Sequence, residues 1–174
     1  MKRLTTYLIC LGLFLIVAGC EDNKPAPAPG QSVDFFALEH YETDGNSCRI
    51  IDSTVSLSDS IIIPYADIIS YDPDAHAFTI NADVAEWLQG SENHTVHRTT
   101  FAVAVDGEVI YTGYFWAAYS SAICNWVTID PLMISGDPTL KVKLGYPWDF
   151  DDVPDRRNDD RLLRTLRQDG KLVE

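Results

Sequence analysis

Residues 99–116 read TTFAVAVDGEVIYTGYFW, two β-rich arms around Asp106 and Gly107. Asp-Gly readily takes the two positive φ angles of a type I′ turn, whose twist suits the antiparallel strands it joins. With those residues as the turn, Val105 is predicted to face Glu108, Val103 to face Ile110, and Phe101 to face Thr112. The opposite face carries Ala102, Ala104, Val109, Tyr111 and Phe115, so both faces are mostly apolar. Such a hairpin belongs in the middle of a sheet with cover on each side.

Upstream, short apolar or alternating runs predict strands over 33–38, 49–52, 60–63, 68–71 and 77–80, the last two joined by a turn at Asp72, Pro73 and Asp74. Val84, Ala85, Trp87 and Leu88 recur at helical spacing between Asn81 and Gly90. They predict a short amphipathic helix over 82–89, with the Asn81 side chain accepting from a free amide at its start. Downstream, strands are predicted over 123–129 and 140–144, after turns at Ser120 and Ser121 and at Gly136, Asp137 and Pro138. Asn158 is predicted to cap a last helix with Asp159 and Asp160 early and Arg164 and Arg167 late, an order that suits the helix dipole. Leu162, Leu163 and Leu166 give that helix one apolar stripe, and Gly170 ends it. The expected fold class is α+β: a mostly antiparallel twisted sheet, one short helix before a central hairpin, and a C-terminal helix. Residues 32–174 are expected to form one domain, which suits the length of 174 residues and the 46% hydrophobic content.

Residues 1–19 have a different character. Lys2 and Arg3 precede a nearly unbroken apolar run from Leu8 to Val17, the pattern of a signal peptide. Val17, Ala18 and Gly19 lead into Cys20, and this stretch resembles the lipobox of bacterial lipoproteins. The resemblance implies cleavage before Cys20, a diacylglyceryl group on its thiol, and a location on the non-cytoplasmic face of the cell envelope. Each buried methylene is worth about 0.8 kcal/mol, so two or three acyl chains hold firmly where one is marginal. Glu21 stands where enteric lipoproteins commonly use aspartate for inner-membrane retention, which favours the outer membrane. Pro25, Pro27 and Pro29 alternate with alanine in residues 20–31, a semi-rigid polyproline II spacer of about 3.1 Å per residue.

The chain carries a formal charge of −13, and losing Lys2 and Arg3 with the signal would bring it to −15. A surface of that sign repels nucleic acid and anionic lipid heads, so neither is an expected partner. Cys10 leaves with the signal and Cys20 carries lipid. Cys48 and Cys124 then remain in an oxidising compartment, where they are expected to form a disulfide.

No cofactor and no catalytic residue is assigned. Ser120 and Ser121 lack the Gly-x-Ser-x-Gly frame, and His40, His76, His94 and His97 are spread through predicted loops and strand ends. His94 and His97 are three apart, but no helix or third ligand accompanies them to make a zinc site. Asp149, Asp151, Asp152 and Asp155 supply oxygens for a weak calcium candidate without the glycine and terminal glutamate of an EF-hand. The competing reading is an acidic turn anchored in the core by Trp148 and Phe150. Among the aromatic residues of 111–126, Tyr114, Trp116 and Tyr119 are the ligand-binding candidates, because flat amphipathic rings give contact area at small entropic cost.

The run from Phe101 to Tyr111, Leu-Gly-Tyr-Pro from Leu144, and Arg-x-x-Arg-Gln-Asp-Gly-Lys-Leu from Arg164 resemble stretches of uncharacterised small secreted bacterial proteins. The helix followed by a hairpin around Asp-Gly is similar to the first periplasmic domain of the SecD translocase subunit, over under a quarter of the chain. Neither resemblance implies a site. The expected function is a non-catalytic, envelope-anchored binding or interaction domain, with a surface-tethered hydrolase or a hydrolase inhibitor as alternatives.

Overall fold

The computed structural model describes residues 31–90, 96–133 and 138–174. The signal peptide, Cys20, nearly all of the Pro/Ala spacer, His94 and the turn residues Gly136 and Asp137 lie outside the described residues.

The strands are β1 (Val33–His40), β2 (Ser56–Ile63), β3 (Ile68–Asp72), β4 (Ala77–Ile80), β5 (Thr100–Val105), β6 (Glu108–Phe115), β7 (Thr128–Ile129) and β8 (Thr139–Lys143). Two helices, α1 (Ala82–Gln89) and α2 (Asp160–Gln168), complete the α+β fold. All eight strands form one sheet in the order β2-β1-β5-β6-β7-β8-β4-β3, antiparallel except where β7 runs beside β6.

This sheet is rolled. Its two edge strands, β2 and β3, are joined by residues 64–67 alone, and the five steps from Ile63 to Ile68 reach at most about 18 Å. Seven strand spacings laid flat would need about 34 Å. Phe35 of β1 and Phe78 of β4 stand five strands apart, yet their rings meet edge to face at 5.2 Å. Phe35 also touches Phe101, Phe101 touches Phe115, and Phe78 touches Tyr71, so aromatic side chains fill the roll. Gly113 makes room for them: a Cβ there would stand 2.6 Å from Phe101 Cζ and 2.8 Å from the Val127 carbonyl oxygen.

The hairpin is central and buried on both faces, with Val105 opposite Glu108 as its turn chemistry demands. Beyond that pair the register differs from the sequence expectation. A bulge between Val103 and Ala104 leaves Val103 opposite Tyr111 and Phe101 opposite Gly113. The extra residue on β6 increases local twist, which a rolled sheet needs.

Several other expectations are corrected. Residues 49–52 make only an isolated bridge, Thr43 to Ile50, and continue into a 3-10 turn at Asp52–Thr54. Of 123–129 only Thr128 and Ile129 form a strand, and it is parallel to β6, because 116–127 cross over as a loop where a turn at Ser120 and Ser121 leading into a longer strand was expected. Asn81 caps α1 by its backbone conformation without a side-chain cap bond; its amide group donates to Asp67 at 3.3 Å. The cap of α2 is Asp159, whose carboxylate accepts from the Arg161 N–H, while Asn158 is drawn off to accept from the Tyr71 hydroxyl.

Helix α2 docks on β1 and β5, with Leu162 and Leu166 fully buried and Leu163 half-buried. Gly170 adopts φ 68° to end it, and the tail then turns onto the outer edge of β3. There the Tyr71 N–H donates to the Lys171 carbonyl at 2.7 Å and the Val173 N–H to the Tyr71 carbonyl at 2.9 Å. The Lys171 ammonium donates to the carbonyls of Tyr65 and Ile68, binding the β2–β3 link to the tail. One edge of the sheet is thereby covered, and among the described residues β2 is the strand left with a partner on one side.

Candidate functional site

Two regions of the surface combine exposed apolar groups with chemistry-bearing neighbours. The first lies around the residues singled out by sequence. Tyr114, near the end of β6, and Trp116, just after it, are buried, so they pack the core and offer little surface. Tyr119 is 69% exposed and its ring lies 5.4 Å from that of His97, which in turn stands 5.3 Å from Trp116. The Arg98 guanidinium covers Trp116 at 5.2 Å. The tertiary structure therefore brings the three candidates into one neighbourhood but leaves only Tyr119 open.

His97 is committed structurally: its Nδ1 accepts from the Ala117 N–H at 3.1 Å, and burial followed by the adjacent Arg98 charge holds its pKa below the usual imidazole value. Ser120 Oγ accepts from the Ala122 N–H at 3.3 Å. Both contacts brace the crossover loop.

The two cysteines meet beside this shelf. The Cys48 N–H donates to Asn125 Oδ1 at 3.0 Å and its Sγ lies 3.8 Å from the Ile123 carbonyl oxygen, so Cys48 straddles Cys124. Both thiols are free, and the expected disulfide is not formed in this structure. The neighbouring Cys124 thiol is the main reason the Cys48 pKa is lowered, with the Asn125 contact and the Arg98 charge acting in the same direction against burial. Cys124 is pushed up by the neighbouring Cys48 and by its burial.

The acidic turn does not gather its carboxylates. Asp149 accepts from the Leu144 N–H, Asp152 pairs with Arg49 at 2.6 Å, and Asp155 grips the buried Arg157 through two contacts of 2.9 and 2.7 Å. Among the described residues no group of three or more His, Cys, Asp or Glu side chains is arranged to hold a metal ion. Trp148, expected as an anchor, is 59% exposed; Phe150 alone packs against the core.

The second region was missed by sequence reading. Strand β2 and helix α1 enclose an apolar groove of about 330 Å³ lined by Ile61, Ile62, Val84 and Trp87, with Ser60 and Asp83 at its rim. Ile61 is 45% and Trp87 48% exposed, while Ala85 and Leu88 of the same helix face the core. Asp83 gives the groove one acidic group at its rim, and Asp59 and Glu86 are exposed on the same two elements. Its faint signal in sequence was the Ile-Ile-Ile run on a strand and a tryptophan beside two core positions of a helix.

The chain matches no protein-family model, no curated protein and no solved structure.

Proposed function

We propose that the mature chain is a lipid-anchored interaction domain on the non-cytoplasmic side of a bacterial envelope, which binds an extended segment of a partner protein along β2. Support for the anchor comes from Val17 to Cys20 and the Pro/Ala spacer. Among the described residues no helix is long and apolar enough to cross a membrane. The observation that carries the binding reading is the Ile61–Trp87 groove beside the edge strand β2, which among the described residues pairs on one side only.

An added strand gains affinity from main-chain hydrogen bonds and specificity from a side-chain pocket. Strand β2 pairs irregularly with β1, Ile63 facing Phe35, Ile61 facing Phe36 and Leu57 facing Leu38 with a register shift at each step, so an added strand finds only a short stretch to pair with beside the groove. Asp83, Asp59 and Glu86 favour a segment with Lys or Arg beside its apolar anchor. They also set two copies of this edge against each other through like charges, which disfavours self-pairing.

The test titrates the soluble domain with two short peptides of alternating pattern, Val-Lys and Val-Glu, and follows tryptophan fluorescence. Saturable binding of the Val-Lys peptide, weakened at least tenfold in Trp87→Ala and absent for Val-Glu, is the expected result. Equal binding of both peptides, or an unchanged affinity in Trp87→Ala, overturns it.

A further inference from the structure

The cysteine pair has a geometry that a passive crosslink does not require. Cys124 is fully buried, and its backbone is paired in both directions with Tyr146, at 3.0 and 2.9 Å. Cys48 is only half-buried and sits in the 41–51 loop, which is fastened by the backbone bonds of Asp44 to Arg49 and Ile51 to Glu42, by the Arg49–Asp152 pair and by the Cys48 N–H bond to Asn125. One sulfur is sealed in the core while the other is partly open to solvent. We infer that Cys48 and Cys124 form a thiol–disulfide exchange site, with Cys48 as the attacking sulfur, Cys124 as the resolving sulfur, and disulfides of extracytoplasmic molecules as the substrate class.

The groups around Cys48 favour its thiolate. Arg98 supplies a positive charge from the turn before β5, and Asn125 fixes the backbone of Cys48 across the crossover. Tyr41 and Tyr114, whose rings stand 6.4 Å apart, are the other titratable neighbours; burial holds the Tyr114 hydroxyl neutral. These influences lower the Cys48 pKa, so its thiolate is more populated at neutral pH than that of an ordinary cysteine.

In the exchange the Cys48 thiolate attacks one sulfur of the substrate disulfide. That S–S bond breaks, and the other substrate sulfur leaves as a thiolate and takes up a proton. Cys124 then loses its proton to solvent and attacks Cys48 Sγ, which expels the second substrate sulfur as a thiolate that is protonated in turn. Two electrons pass from the pair to the substrate. The product is the Cys48–Cys124 disulfide, the bond that the sequence leads one to expect in an oxidising compartment.

The test uses the full chain in detergent, with Cys10→Ser and Cys20→Ser so that only the pair reports, and glutathione disulfide as the probe. In a further Cys124→Ser variant, mass spectrometry should find a stable glutathione adduct on Cys48. Its rate should rise through a midpoint clearly below pH 9.0, the ordinary thiol value. The gain in thiolate at neutral pH is partly returned by the weaker nucleophilicity of a low-pKa thiolate. The net expectation is a severalfold faster reaction than free cysteine. The Cys48→Ser variant should leave Cys124 unmodified, and the intact pair should shift between dithiol and disulfide as the glutathione ratio is varied. Overturning results are equal reactivity of the two cysteines, a midpoint near pH 9, or a pair that stays oxidised in every glutathione buffer, as an inert structural disulfide would.

Discussion

The contact between Phe35 and Phe78 distinguishes a rolled sheet from an open one, and a double-mutant cycle measures it. Both rings are fully buried, and their 5.2 Å edge-to-face geometry is of the kind worth about 0.5–1.5 kcal/mol beyond area burial. Phe35→Leu and Phe78→Leu each remove ring surface without emptying the site, at a cost of about 1–3 kcal/mol. A domain of this size has about 5–15 kcal/mol to lose, so the double variant should still fold at low temperature. Urea unfolding followed by near-ultraviolet circular dichroism should give a coupling of about 0.5–1.5 kcal/mol. In a flat sheet the two positions would be about 24 Å apart, five strand spacings, and distant changes add within about 0.3–0.5 kcal/mol. Coupling below about 0.3 kcal/mol with unchanged m-values would refute the closure of the roll by these rings.

Four further outcomes are expected. Gly113→Ala should destabilise by about 1–3 kcal/mol, because its methyl group meets Phe101 and the Val127 carbonyl; a melting temperature equal to the parent's would show that the aromatic filling is not tight there. Leu162→Ala and Leu166→Ala should each cost about 2–5 kcal/mol in chemical denaturation, and near-neutral values would detach α2 from the core. The Arg157 hydrogen bonds hold the Asp155 pKa below 3.8, so this pair stabilises the fold above that value and its contribution is lost as pH falls below it; Asp155→Asn should therefore flatten the acid limb of the stability profile, and an unchanged limb would contradict the pairing. Cys20→Ala should abolish incorporation of radioactive palmitate, so labelling that persists in that variant would end the lipoprotein reading.

Most of what was legible in the sequence is local. Asp106-Gly107 has little choice but to turn, and the spacing of Val84, Ala85, Trp87 and Leu88 between Asn81 and Gly90 marks α1 to the residue. Tertiary contacts decided the rest. The 103/104 bulge follows from the twist of a closed roll, and the crossover 116–127 is a loop because β7 joins β6 in parallel, which no two-residue turn at Ser120 and Ser121 could achieve. Competition for partners also lies outside local pattern: Asn158 looked like the cap of α2 until Tyr71, far away in sequence, claimed its side chain. The candidate aromatic residues show the same division. Sequence marks Tyr114, Trp116 and Tyr119 as rings near a polar turn, whereas burial is set by what packs against them, so Tyr119 remains open and the other two do not. By itself the sequence determined the Asp106-Gly107 turn and the α1 helix, because neighbouring residues suffice to specify them. The meeting of Cys48 with Cys124 and the groove between β2 and α1 were decided by the rolled sheet, which sets side by side segments that the chain keeps far apart.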